Sequence, residues 1–141
     1  MNKVQRLKIC NKFLGISLLL MLISAIQLEA TSGAYTWSVW LHIALGAALT
    51  VLSVYHIYLH YKSSNWFARF AKHRSTATRI IWWIFLLTAV SGIAATALWL
   101  AAQGHTHIGA LHGKIGFLMV IFAVIHHATV RRARARGGRR G

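Results

Sequence analysis

Nine histidines stand in a chain of 141 residues that holds one acidic residue, one cysteine and no proline. Four of them form a pattern. His42 and His56 are separated by the same interval as His112 and His126, H-x13-H in both cases. On an α-helix that interval, about 14 residues, advances about 21 Å and stops about 40° short of four whole turns. Each pair therefore shows both rings on nearly the same side of its helix, one toward each end. Imidazole is a common metal ligand, and two such helices side by side would offer two stacked pairs of imidazoles.

The pattern also repeats along the chain. His42 and His112, Gly46 and Gly116, and His56 and His126 share one offset in numbering, 70, while Ser24 and Ser91, offset by 67, are a looser match. Three matches at one offset imply two copies of a two-helix unit.

The elements that must position these histidines are membrane spans. Hydrophobic residues make up 57% of the chain, its mean hydropathy is +0.54, and only 12% of residues are charged, against roughly a quarter in a soluble domain. A span needs about 20 apolar residues. Four segments meet or approach that length: Phe13 to Leu28 or Ala30 (the shortest), Trp37 to Tyr61, Ile80 to Ala102, and Leu111 to Val130. The absence of proline suits uninterrupted helices. The fold class expected is all-α: an antiparallel four-helix transmembrane bundle built from two two-helix repeats, with the second and fourth spans parallel. His42 then meets His112 near one membrane surface, and His56 meets His126 near the other.

The net charge of +15, which alone would suit a nucleic-acid partner, finds its explanation in topology. Lys3, Arg6, Lys8 and Lys12 precede the first span. Lys62, Arg69, Lys72, Arg74 and Arg79 lie between the second and third. Arg131, Arg132, Arg134, Arg136, Arg139 and Arg140 follow the fourth. These fifteen cations fall on one side of the bilayer and only Lys114 on the other, so the positive-inside rule places both termini in the cytoplasm of a multi-pass protein of the cytoplasmic membrane. No nucleic-acid partner is expected. The chain divides into a basic N-terminus (1–12), the helical domain (13–130) and an Arg/Gly tail (131–141) expected to be disordered near anionic lipid. Leu28-Glu29-Ala30 also resembles a signal-peptide cleavage site, but the repeat argues that the first span is kept. In the middle loop, Trp66, Phe67, Phe70 and Ala71 share a helical face among Arg69, Lys72 and Arg74. They read as a short helix in the headgroup layer or as a solvated basic loop.

The single acid, Glu29, excludes carboxylate-pair hydrolysis, Asp-based triads and acidic Mg²⁺ or Ca²⁺ sites. The single Cys10 excludes an intrachain disulfide and a Cys-rich zinc site. Zinc favours four clustered ligands, whereas each histidine pair offers two. Haem iron brings four equatorial nitrogens, so two imidazoles complete it. The expected cofactor is therefore haem b, two per chain, with His42, His56, His112 and His126 as iron ligands. Gly46 and Gly116 lie four residues after the outer histidines on the same helix face. Their bare backbone would let a porphyrin lie close, although small residues also serve plain helix packing. Haem propionates would find Arg79, Lys62 or Arg131 on the inner side and Lys114 on the outer.

Among the other histidines, His60 lies one turn after His56. By helical angle it is an alternative inner ligand, but it has no histidine counterpart at Val130. His127 points about 100° from His126. His105 and His107 fall in the outer loop, and His73 in the cytoplasmic basic segment.

These residues resemble a known family. The pattern H-x3-G-x9-H-x3-H from His42 to His60, a Ser-Gly pair (Ser91-Gly92) opening a preceding helix, and a second H-x3-G-x9-H from His112 look like the flavinylation-associated cytochromes and other small four-helix di-haem b-type cytochromes. The resemblance covers about residues 13 to 130. It implies a transmembrane electron-transfer module that ligates haem through His42, His56, His112 and His126 and works with a flavin-bearing partner outside the cytoplasmic membrane. Two departures stand out: the second copy ends His126-His127 where H-x3-H is the family's commoner form, and the first has Ser24-Ala25 in place of Ser-Gly.

The function expected is electron transfer through two bis-histidine haems between membrane quinone and an extracytoplasmic flavoprotein or other redox partner, a carrier more than a stand-alone enzyme. The alternatives are a quinone-linked oxidoreductase acting on a small diffusing species such as superoxide, and a non-haem membrane protein that binds metal through its histidines. With no carboxylate inside the membrane, an acidic proton relay is not expected.

Overall fold

The computed structural model describes residues 2–61, 76–102 and 106–137. All of its regular structure is helical: α1 (Lys3–Ala30), α2 (Thr36–Tyr61), α3 (Thr76–Ala102) and α4 (His107–Gly137). Each is long and apolar enough to cross a membrane. At 1.5 Å per residue even the shortest, α2 with 26 residues, reaches about 39 Å, beyond the roughly 30 Å of bilayer hydrocarbon. Large apolar side chains lie open along all four helices, among them Leu19, Val51, Ile93 and Val124, with Ile93 73% exposed. Contiguous apolar surface of this kind is untenable in water and ordinary against lipid. The chain is a multi-pass membrane protein.

The helix ends follow local chemistry. Asn2 caps α1 through a reciprocal pair: its side chain accepts from the backbone N–H of Gln5 at 2.9 Å, and Gln5 accepts from the N–H of Asn2 at 3.0 Å. This capping box satisfies two end donors that have no helical partner. It starts α1 ten residues ahead of the expected Phe13, so Lys3, Arg6, Lys8 and Lys12 occupy its first turns and the first span is no longer the shortest helix. The far end of α1 closes as a Schellman motif. Gly33 N–H donates to Leu28 O at 3.0 Å and Ser32 N–H to Glu29 O at 3.2 Å, and Ser32 takes the left-handed φ of 48° that glycine commonly supplies. Thr106 caps α4, its hydroxyl accepting from Gly109 N–H at 3.0 Å.

Two corrections concern the rest of the chain. Composition predicts a disordered C-terminal tail, but α4 continues through Gly137. Arginine and alanine are good helix formers and no proline intervenes, so the helix outruns the apolar span until the glycines. Ser91-Gly92 does not open a helix but lies in the middle of α3. The middle-loop residues Trp66, Phe67, Phe70, Ala71 and His73, with Lys62, Arg69, Lys72 and Arg74, lie outside the described residues, as do His105, Arg139 and Arg140.

The chain divides into two compact units, the first built on α1 and α2 and the second on α3 and α4. The first is an antiparallel hairpin. Ser24 meets His42 near the connection, and Cys10, 3% exposed, meets the carbonyl of Leu52 further down at 3.8 Å. In the second, Ser91 on α3 meets His112 on α4. The repeat read from the sequence is thus two helical hairpins.

Candidate functional site

Both units present their first repeat histidine in the same way. In the first, Ser24 Oγ lies 2.9 Å from His42 Nδ1 and 2.9 Å from the carbonyl oxygen of Met21. In the second, Ser91 Oγ lies 3.1 Å from His112 Nδ1 and 3.1 Å from the carbonyl oxygen of Thr88. The serine comes from the first helix of the hairpin and the histidine from the second. Each serine also touches the carbonyl three residues before it. The looser sequence match, Ser24 with Ser91, is therefore a structural equivalence. It departs from the common offset because the separation from serine to histidine is 18 in the first hairpin and 21 in the second, an extra length close to one helical turn.

The equivalence extends along the helices that carry the histidines. From 41 to 56 and from 111 to 126, buried, half-buried and exposed side chains follow in the same order, residue for residue. His42, His56, His112 and His126 are all half-buried, and so are Gly46 and Gly116. Leu49 and Met119 are the buried residues of the two stretches. The correspondence breaks just beyond the last histidine, where Leu59 is buried and Thr129 exposed.

The companion histidines fall on the outer surface of the pattern. His60 is exposed, and its ring meets that of His56 edge-on with centroids 4.7 Å apart. His127 and His107 are exposed too. His56 is thus the more enclosed of the two inner candidates.

The glycines divide differently from expectation. A Cβ added at Gly46 would touch Met21 Cε at 3.7 Å, an ordinary contact, and one at Gly116 would meet no atom of the described chain within 4 Å. The crowded glycine is Gly92, where a Cβ would come within 3.0 Å of His112 Cε1. Gly92 lets the imidazole lie against the α3 backbone, a role that sequence reasoning missed. The signal was its place beside Ser91. In the first unit Ala25 occupies the equivalent position.

The donor set fits a metal ligated through imidazole. A ring held at Nδ1 by a neighbouring oxygen is the common arrangement behind a histidine that ligates through Nε2, and His42 and His112 are both held so. Among the described residues no group of three or more His, Cys, Asp or Glu side chains gathers as a metal site. A metal that brings most of its own ligands asks less of the chain. Comparison with protein-family models, curated proteins and solved structures finds no match for this chain.

Proposed function

We propose that this chain is a membrane electron-transfer protein holding two b-type haems, with His42, His56, His112 and His126 as iron ligands. The pairing is carried over from the sequence repeat, His42 with His112 and His56 with His126. The observation that carries the reading is the serine–imidazole bond made twice, at His42 and His112, within a pattern of burial that repeats over the same helices. Two histidines positioned alike by two separate hairpins are hard to attribute to packing alone.

When bound, each haem would supply one-electron redox chemistry. The chain's own contributions are ligation, ring orientation and exclusion of water by the apolar helices. Gly116, where an added Cβ would meet no described atom within 4 Å, would pass close to a porphyrin face. Lys114 on the outer side, with Arg79 and Arg131 on the inner, would supply cations for propionates in a chain whose own sequence has a single acid. By the positive-inside rule the termini are cytoplasmic and the membrane is the cytoplasmic one. Electrons would pass between quinone in the bilayer and an extracytoplasmic flavoprotein or other redox protein.

The test is the haem content and spectrum of the full chain purified from haem-replete cells. A red protein with a reduced b-type spectrum and two haems per chain is expected, and replacing any one of the four histidines with alanine should leave one haem. A colourless protein overturns the proposal.

A further inference from the structure

Each of the two serine hydroxyls has one proton and two neighbours. A carbonyl oxygen can only accept, whereas a neutral imidazole Nδ1 either donates or accepts, according to its tautomer. If Ser24 donated to His42 Nδ1, its oxygen would face the carbonyl of Met21 at 2.9 Å with lone pairs on both sides. If it donates to the carbonyl, the imidazole must donate Nδ1–H to the serine oxygen, and both contacts become hydrogen bonds. Ser91 stands likewise between Thr88 O and His112 Nδ1, and there the imidazole also hydrogen-bonds the Thr88 backbone directly, a carbonyl that can only accept and so calls for the same ring N–H.

The helices show which choice they favour. Other hydroxyls of the chain also donate back to a carbonyl three or four residues earlier: Ser38 to Tyr35 at 2.7 Å, Thr50 to Gly46 at 2.8 Å and Thr96 to Gly92 at 2.8 Å. Back-bonding is the habit of Ser and Thr inside apolar helices, where no water offers an alternative.

We infer that Ser24 and Ser91 are positioning residues that, by donating to their own helix, fix His42 and His112 as Nδ1–H tautomers with the lone pair on Nε2. The inference deepens the proposed function, on which its haem arm rests. The serine bond also sets how strongly each ring donates to a metal, because an acceptor at Nδ1–H gives the imidazole partial imidazolate character. A neutral hydroxyl does this more weakly than the carboxylate behind many metal-binding histidines, and this chain has no second carboxylate to use.

The experiment is nitrogen NMR on the full chain labelled with [15N]histidine and kept reduced. A protonated Nδ1 on His42 and His112 is expected whether or not the preparation is coloured. Nε2–H on either ring in the wild-type protein would reverse the bond and overturn the inference. A colourless protein with the expected tautomers would remove the haem proposal and leave the serine assignment standing. In coloured protein, Ser24→Ala and Ser91→Ala should each raise the midpoint potential of the same haem, since a less electron-rich imidazole stabilises ferric iron less. Ser→Thr at either position should restore it. An unchanged potential in both alanine variants, with both haems bound, would overturn the tuning role.

Discussion

Gly92 and His112 are matched in shape: a single carbon added to the glycine would stand 3.0 Å from the Cε1 atom of the imidazole. The ring lies against the backbone of α3, and Ser91, the preceding residue, holds its Nδ1. Adjacent residues of one helix thus fix the position of the ring and the direction of its hydrogen bond.

Gly92→Ala should therefore displace His112. Overpacking a fitted contact costs about 1–3 kcal/mol. The variant should unfold at lower temperature and, in coloured protein, show an altered spectrum for one haem only. Gly116→Ala should behave oppositely. With no described atom within 4 Å of it, the added methyl gains up to about 1 kcal/mol of helix propensity, so haem-free protein should be at least as stable as wild type. If a porphyrin lies against that glycine, the same methyl should lower haem retention. Thermal unfolding and haem content measured on one preparation separate the two effects.

His60→Ala should leave two haems, and His56→Ala should leave one. The two rings touch, but His56 follows the burial pattern shared with His126, and His60 is exposed. Haem stoichiometry measured by pyridine haemochrome decides it, and loss of a haem in the His60 variant would move the inner ligand by one turn.

Ser32→Gly should stabilise the first hairpin. A left-handed φ costs an ordinary residue about 1–2 kcal/mol, a cost that glycine avoids. The two hydrogen bonds that close α1 are backbone bonds and survive the change. A gain of about 1 kcal/mol in denaturant unfolding is expected.

Cys10 should resist a membrane-permeant thiol reagent until the protein is denatured, because it is 3% exposed and its thiol faces Leu52 O. Mass spectrometry before and after denaturation reads this directly. Replacing it with alanine should not remove a haem.

In a Cys10→Ala background, single cysteines at Gly33 and Ile108 should label with an impermeant reagent from outside intact cells, and cysteines at Lys3 and Arg132 only after the membrane is opened. The reverse pattern would invert the orientation drawn from the fifteen cations.

The sequence by itself determined the four membrane-length helices found among the described residues, their apolar character and the two-copy repeat, because these follow from composition and from fixed offsets along the chain. Histidines at the H-x13-H interval share a helix face wherever the helix packs. Sequence also pointed to His56 over His60 through the repeat. The helix ends were less legible. Asn2 with Gln5 at the start of α1 is a capping signal that the charged first turns obscured, and the arginine run that ends α4 has a tail's composition although its residues favour helix. What only the tertiary structure decided is what the histidines touch. Ser24 and Ser91 look like a weak echo in sequence because α3 runs on further past Ser91, to Ala102, than α1 does past Ser24, to Ala30, and Gly92 has no visible role there. Both depend on one helix of a hairpin meeting the other at a particular height and rotation, and that is set by packing, which leaves no periodic trace in the sequence.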